Sequence, residues 1–169
     1  MVSFPAEQAP LVHVCFLGEA ARIYGEESPG RGMPPGFAPA TATSVGIDLR
    51  ACFAEEEISL TSGARAAVPS GVVIEPVVPG LAGFVYSRSG LGAKHGLVVA
   101  QGVGVIDPDY RGEIMVWLLN TSQRTMSVKR GERIAQLVFQ PYVRPLIRRK
   151  EQLSETARGS GGFGHTGQF

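Results

Sequence analysis

Gly104-Val-Ile-Asp-Pro-Asp-Tyr-Arg-Gly-Glu-Ile-Met-Val-Trp-Leu-Leu-Asn120 is the stretch around which the chain is organised. Asp107-Pro108-Asp109 has the composition of a turn, because proline presets φ for the second turn position and aspartate side chains bond nearby backbone amides. Val103 to Ile106 before it and Ile114 to Leu119 after it are rich in β-branched and large apolar residues, so the segment is expected to form a β-hairpin. Its mouth gathers Asp107, Asp109, Tyr110 and Arg111 between two apolar strands. A lone Asp-Pro-Asp is most often an ordinary turn, so the rest of the chain has to decide what this one does.

Outward from that stretch, short apolar runs alternate with turn residues. Leu11 to Leu17, Thr43 to Phe53, Arg65 to Glu75 with a bend at Pro69-Ser70-Gly71, Gly83 to Tyr86, Thr125 to Val128 and Arg133 to Phe139 read as strands. The 22 glycines and 12 prolines are spread between these runs, which favours many short strands over a helical bundle. Glu19 to Tyr24 suits one helical turn. Met1 to Pro10 is expected to be a flexible N-terminus and residues 25–39 a loop excursion, while 11–150 form one domain followed by a flexible C-terminal arm over 151–169.

Composition excludes several functions. Charged residues are 18% and the formal net charge is +1, with no long basic stripe, so the chain is not expected to bind duplex nucleic acid by neutralising phosphates. Cys15 and Cys52, the only cysteines, sit in apolar runs without Cys-x-x-Cys spacing and are expected to be buried free thiols in a reducing compartment. No stretch has the length of a membrane span or the charge pattern of a signal peptide, and a cytoplasmic protein is expected.

Three further stretches carry polar residues where apolar ones are expected. Asp48, between Ile47 and Leu49, either faces water on an edge strand or needs a partner. Gln136 interrupts the strand from Arg133 to Phe139, and its amide should be bonded to backbone, a polar side chain or an ordered water. Ser89 to Lys94 can form a short helix with Ser87 or Ser89 as N-cap and Gly96 as its stop, and such an N-terminus beside Arg88 suits a phosphate. The glycine-rich tail from Arg158 to Gly167 reads as a flexible segment, but glycine amides can wrap phosphate oxygens, Arg158 can pair with a terminal phosphate and Phe163 can stack on a base.

Taken in order, these stretches resemble the five motifs of the trimeric dUTP diphosphatases, in their bacterial form: Ser44-Val-Gly-Ile-Asp-Leu-Arg-Ala51, Ser87-Arg-Ser-Gly-Leu-Gly-Ala-Lys-His-Gly-Leu97, Gly104-Val-Ile-Asp-Pro-Asp-Tyr-Arg-Gly-Glu-Ile114, Gly131-Glu-Arg-Ile-Ala-Gln-Leu137 and Arg158-Gly-Ser-Gly-Gly-Phe-Gly-His-Thr-Gly167. Five motifs in one order are far more specific than any one of them. The resemblance implies an all-β, distorted jelly-roll-like barrel subunit with one short helix, assembled as a homotrimer whose active sites are shared between chains. It implies hydrolysis of dUTP to dUMP and pyrophosphate with Mg2+, which limits uracil in DNA and supplies dUMP for thymidylate synthesis.

Carried over motif by motif, Asp107 resembles the general base that activates the water attacking the α-phosphorus. Val105 and Ile106 resemble the backbone that reads uracil, with Gln101 near the base where bacterial members often have asparagine. Tyr110 resembles the residue beneath deoxyribose that leaves no room for a 2′-hydroxyl, and Met115 would line the same pocket. Arg88, Ser89 and Gly90 resemble the phosphate cradle, Gln136 a further phosphate contact, Arg158 the γ-phosphate clamp and Phe163 the aromatic lid over uracil. Asp48 would sit near metal-bound waters or pair with an arginine. Ser87 stands where many members have proline, and the excursion over 25–39 is longer than the motifs require.

Two alternatives accompany this reading. A dCTP deaminase-like enzyme would share the fold, but the position at which that family carries its proton-handling glutamate is Trp117 here, and indole cannot do that work. A non-catalytic nucleotide-binding trimer is also conceivable on the same scaffold, although the expected catalytic positions are filled.

Overall fold

The computed structural model describes residues 11–25 and 36–162. Among them are eleven strands: β1 (Val12–Phe16), β2 (Ile47–Arg50), β3 (Glu57–Leu60), β4 (Arg65–Pro69), β5 (Val72–Pro76), β6 (Leu81–Ser87), β7 (Leu97–Val99), β8 (Val103–Ile106), β9 (Met115–Asn120), β10 (Met126–Lys129) and β11 (Arg133–Pro141). One short helix, α1 (Ala20–Ile23), follows β1, and a single π-helical segment spans Gly90–His95. The expected N-terminal segment 1–10, the middle of the excursion (26–35) and Phe163 lie outside the described residues.

Strand alternation builds the core. In β9, Val116, Leu118 and Asn120 point inward while Met115 and Trp117 face out; in β5, Val72, Ile74 and Pro76 point inward. Successive strand side chains face opposite sides, so each apolar row is delivered to one interior. The strands pair as β2-β11-β6-β8, β4-β9-β7, β1-β5 and β3-β10, every pair antiparallel, and neighbours distant in sequence make the chain cross repeatedly between sheets. Leu49, Val68, Ile74, Val85, Leu118, Ile134 and Leu137 from several of these sheets join one buried cluster. This is the β-rich, jelly-roll-like subunit that the motifs imply.

The expected hairpin at the centre is not one. β8 pairs with β6, from Gly83 opposite Ile106 to Tyr86 opposite Val103, whereas β9 pairs with β4 and β7 in another sheet. Hairpin loops are short, about two to five residues. The residues from Asp107 to Ile114 exceed that, and they carry the chain from one sheet to the next. Two apolar strands around a turn signal look alike whether they return to each other or cross to new partners. The Pro69-Ser-Gly71 bend, in contrast, falls between β4 and β5 as expected.

Other differences also have local causes. Cys15 is exposed, because alternation in β1 puts it on the outward face with His13; Cys52 is half-buried. Phe37, within the 25–39 excursion, is buried and packs edge-on against Phe16 and Tyr24 at 5.4 and 5.5 Å between ring centroids. With the Gly36 amide donating to the Tyr24 carbonyl at 2.8 Å, both ends of the excursion are tied to the core. Asn120 is fully buried and donates to the carbonyls of Leu60 and Arg124, while its oxygen accepts from the Ser122 amide. Beyond β11 the chain is exposed from Val143 to Lys150, with Val143, Leu146 and Ile147 each at least 80% exposed.

Candidate active site

The crossover after β8 begins with a β-turn closed by the Tyr110 amide donating to the Asp107 carbonyl at 3.1 Å, with Pro108 and Asp109 at its centre. Asp107 is exposed, and among the described residues its carboxylate takes no hydrogen bond or ion pair. Its position is therefore set by backbone. Tyr110 folds back so that its hydroxyl donates to the Glu113 carbonyl at 3.0 Å. Its ring then lies against Gly112, where an added Cβ would collide with the phenol, so that glycine is needed for closeness to the ring. Glu113 in turn accepts the Gly71 amide at 2.6 Å, fixing the crossover to the start of β5.

These residues line a cavity of about 250 Å³ that brings together Gln101, Val105, Ile106, Asp107, Tyr110 and Met115, six of the residues picked out from sequence. Its wall mixes apolar side chains with a nearly equal share of polar surface, and convergent polar groups in a concave site are what fix a small molecule's orientation. Gln101 lies over Gly104, its amide nitrogen 3.3 Å from where a Cβ there would stand. Trp117, the only tryptophan, also lines this cavity. Asp107 further borders a second hollow of about 530 Å³, with Phe84, Asp109, Tyr142 and Arg144.

A second group lies elsewhere on the same sheet. β11 places Gln136 directly between Asp48 on β2 and Tyr86 on β6. Asp48 accepts from Arg88 Nε at 2.7 Å and from Arg133 Nη1 at 3.2 Å. Of the expectations for Asp48, pairing with arginine is therefore the one observed, and a partner rather than water explains a carboxylate within an apolar strand. Gln136 donates to the Ser87 carbonyl at 3.2 Å. The helix expected at Ser89 to Lys94 winds as a π-helix over Gly90–His95 and is stopped by Gly96 at φ 73°, a left-handed conformation that glycine adopts at little cost. Neither serine caps it: Ser89 makes no side-chain capping bond, and Ser87 Oγ instead accepts the Val99 amide at 2.8 Å. Ser89 and Gly90 stay exposed beside Arg88.

The two groups do not meet within one chain. Asp107 follows the end of β8 that lies opposite Gly83, and Arg88 follows the other end of β6. At 3.3 Å per residue, the β6 ladder holds them about 20 Å apart. Arg158, in the exposed tail, donates to the Gly161 carbonyl at 2.9 Å and takes no part in either group.

Sequence reasoning did not single out Arg133, Glu75, Glu113 or Arg144. Arg133 stands one residue before a β-bulge that admits Ile134 and Ala135 to the core together, which leaves the Arg133 side chain outside, beside Asp48. Its place in the fourth motif was the available signal. Glu75 lies outside every motif and Glu113 sits unremarked near the end of the third, and each acquires its role only through a contact remote in sequence.

A family model described as dUTPase matches residues 35–167. The chain is 48% identical over 128 residues to the deoxyuridine 5'-triphosphate nucleotidohydrolase of Azotobacter vinelandii, an alignment covering 76% of this chain and 84% of that relative. Among solved structures, the dUTPase from Streptococcus mutans is 33% identical with a TM-score of 0.57, over 67% of this chain and 90% of that one. A dUTPase variant of Staphylococcus bacteriophage 80alpha, solved with dUpNHpp, is 24% identical and shares the fold at a TM-score of 0.71, over 93% of this chain and 98% of that one.

Proposed function

Because the chain belongs to the dUTPase family and hydrolyses dUTP to dUMP, we propose that its residues divide this reaction between the cavity beside β8 and the arginine group around Asp48. The observation that carries the proposal is the convergence of Gln101, Val105, Ile106, Asp107, Tyr110 and Met115 on one cavity. The backbone of Val105 and Ile106 reads uracil, with Gln101 at the same end. A fixed backbone partner discriminates strongly against cytosine, which offers a donor where uracil offers an acceptor. Tyr110, held against Gly112, closes the space that a ribose 2′-hydroxyl would need.

Asp107 lies toward the phosphate end of this cavity. With no competing partner, its carboxylate accepts a proton from water as the water oxygen bonds to the α-phosphorus. The bond from that phosphorus to the bridging oxygen breaks, and pyrophosphate leaves. Arg88, Ser89, Gly90 and Gln136 receive the charge that moves onto the leaving group. Since one chain holds this cradle about 20 Å from its own Asp107, a neighbouring copy supplies it. A homotrimer meets that need. The same assembly gives the exposed segment after β11 a surface to cross, which carries Arg158 toward a bound nucleotide.

The dUTPase family is metal-dependent. Among the described residues no three His, Cys, Asp or Glu side chains converge on a point. That donor set suits Mg2+ carried by the triphosphate, because this ion keeps several waters and seldom needs a protein cage. Asp48 retains acceptor capacity beyond its two arginine bonds and would hold a metal-bound water. When bound, the ion supplies charge neutralisation on the phosphates.

The test is pyrophosphate release from dUTP, dTTP, dCTP and UTP, each with and without Mg2+. Release from dUTP alone, dependent on the metal, is expected. Equal turnover of UTP would remove Tyr110 from its role, and conversion of dCTP to a uracil nucleotide would favour the deaminase reading.

A further inference from the structure

Arg111 lies in the crossover just past Asp107, and its guanidinium ties that crossover to itself and to β5. Of its five N–H donors three are used: Nη1 donates to the Pro108 carbonyl at 2.7 Å and to the Tyr110 carbonyl at 3.1 Å, so one nitrogen clamps both sides of Asp109. Nη2 donates to Glu75 Oε1 at 2.9 Å. The other Glu75 oxygen is 3.0 Å from His13 Nδ1, on the residue directly opposite in β1. Hydrogen bonds from His13 and then Arg111 hold the Glu75 carboxyl below the usual carboxylate range, so it stays ionised.

Arg111 is a cation within a few residues of two acidic side chains, Asp107 and Asp109, yet it pairs with neither. We propose that Glu75 and Arg111 are positioning residues for Asp107: Arg111 fixes the turn that carries it, and Glu75 keeps the guanidinium from pairing with the carboxylate that must take up a proton. The inference rests on the reading of Asp107 as the base. It concerns a separate device, since neither residue lines the nucleoside cavity and neither belongs to the arginine group around Asp48. The other charged groups around Asp107 are Asp109 and Arg144 across the second hollow and Glu113 across the nucleoside cavity. Of these, Arg144 sits in the exposed segment after β11, whereas Arg111 is bonded to the turn itself.

A purely structural pair would behave differently. Arg111 and Glu75 are 49% and 45% exposed, and ion pairs so exposed contribute little to stability. Their removal should leave the thermal midpoint nearly unchanged while altering turnover.

The experiment compares Glu75→Ala, Arg111→Met, the double variant and Asp107→Asn in the full-length protein with dUTP and Mg2+, reading kcat, KM and the acidic limb of kcat/KM against pH. In Glu75→Ala the freed guanidinium pairs with Asp107, so kcat falls about tenfold at a KM near that of the parent, a scale set by small misplacements at a reacting centre. The acidic limb moves to lower pH, because a neighbouring cation favours the ionised carboxylate. Arg111→Met lowers kcat by loosening the turn but leaves the limb in place, and adding it to Glu75→Ala returns the limb to its parental position. A Glu75→Ala enzyme with parental kcat and limb, beside an inactive Asp107→Asn, overturns this inference and leaves the assignment of the base standing. An active Asp107→Asn overturns the assignment of the base instead.

Discussion

Asp48 on β2 and Asp107 just past the end of β8 are both attached to one four-stranded sheet, and the sequence marks both. Their neighbours treat them oppositely. Asp48 has one oxygen on Arg88 and the other on Arg133, and across the strand it faces Gln136. Asp107 has no side-chain partner among the described residues, although Arg111 is bonded to the very turn that holds it. A carboxylate bonded to two arginines is committed to fixing those cations for an incoming anion. One held only by its backbone is available to take up a proton. Residue type does not make this distinction. What decides it is whether nearby cations are already satisfied, and strands remote in sequence settle that.

The largest effect should come from the unpaired member. Asp107→Asn removes the proton acceptor and keeps the shape, so turnover is expected to fall by about a hundredfold or more, the scale of general-base loss. Affinity for a non-hydrolysable dUTP analogue and the thermal midpoint should stay close to parental values, since this side chain has no bond to lose. Titration of the analogue alongside a steady-state assay separates binding from chemistry. Undiminished turnover would erase the contrast between the two aspartates.

Asp48→Asn should act in the opposite sense, on binding and stability before chemistry. It leaves two arginines without their carboxylate. Arg88 is 27% exposed and Arg133 is 50% exposed, so solvent screens part of the loss. We expect a decrease of about 1–2 kcal/mol by chemical denaturation. The kcat/KM should fall about tenfold, mostly through KM, because displaced guanidinium groups no longer meet the phosphates in a fixed geometry. A fall confined to kcat would mean that Asp48 acts on the reacting atoms after all.

Tyr110→Phe is a smaller perturbation, since it removes only the hydroxyl that ties the ring to the Glu113 carbonyl. One neutral hydrogen bond contributes about 1 kcal/mol, so the preference for dUTP over UTP should drop by roughly fivefold. Competition between the two nucleotides in one assay would measure it directly. An unchanged preference would show that Gly112 and the cavity wall hold the ring without the hydroxyl.

Most strands were legible from alternation and punctuation: β1, β4, β5, β6, β10 and β11 lie where short apolar runs meet glycine or proline. Of the residues marked from sequence, Val105, Ile106, Asp107 and Tyr110 of the third motif share one cavity with the flanking Gln101 and Met115. Strand partnership was not legible. The run from Val103 to Leu119 looked like a hairpin because its two halves satisfy the same local rule, and only long-range pairing sends them to different sheets. The roles of Glu75, Glu113 and Arg133 were hidden for the same reason: each is an ordinary charged residue until a segment remote in sequence supplies its partner. Asn120 is similar, with a burial that follows from the carbonyls of Leu60 and Arg124 around it.

The smallest expected effect concerns an acid whose charge is opposed chiefly by burial. Cys52 lines a cavity of about 410 Å³ together with Glu113 and Arg130. Burial, and then the negative charge of Glu113, push its thiol from the usual value near 9 up to about 11. The folded state therefore binds this proton more tightly than the unfolded state does. Its contribution to stability is fully present below about pH 9 and is lost as pH rises through about 11. Urea denaturation over this range should show a modest decline that Cys52→Ala flattens. Glu113→Gln sharpens the comparison further. The amide can still accept the Gly71 N–H but carries no charge, so burial is opposed only by the nearby Arg130 and Arg50 and the thiol falls back toward its usual value. In a Cys15→Ser background, where the exposed thiol is silent, alkylation of Cys52 near pH 9 should then be faster by a few-fold, in proportion to the thiolate present. No acceleration would mean that the Glu113 carboxylate does not stand on the Gly71 amide. Tyr110 would then depend on something other than this anchor to keep its ring against Gly112.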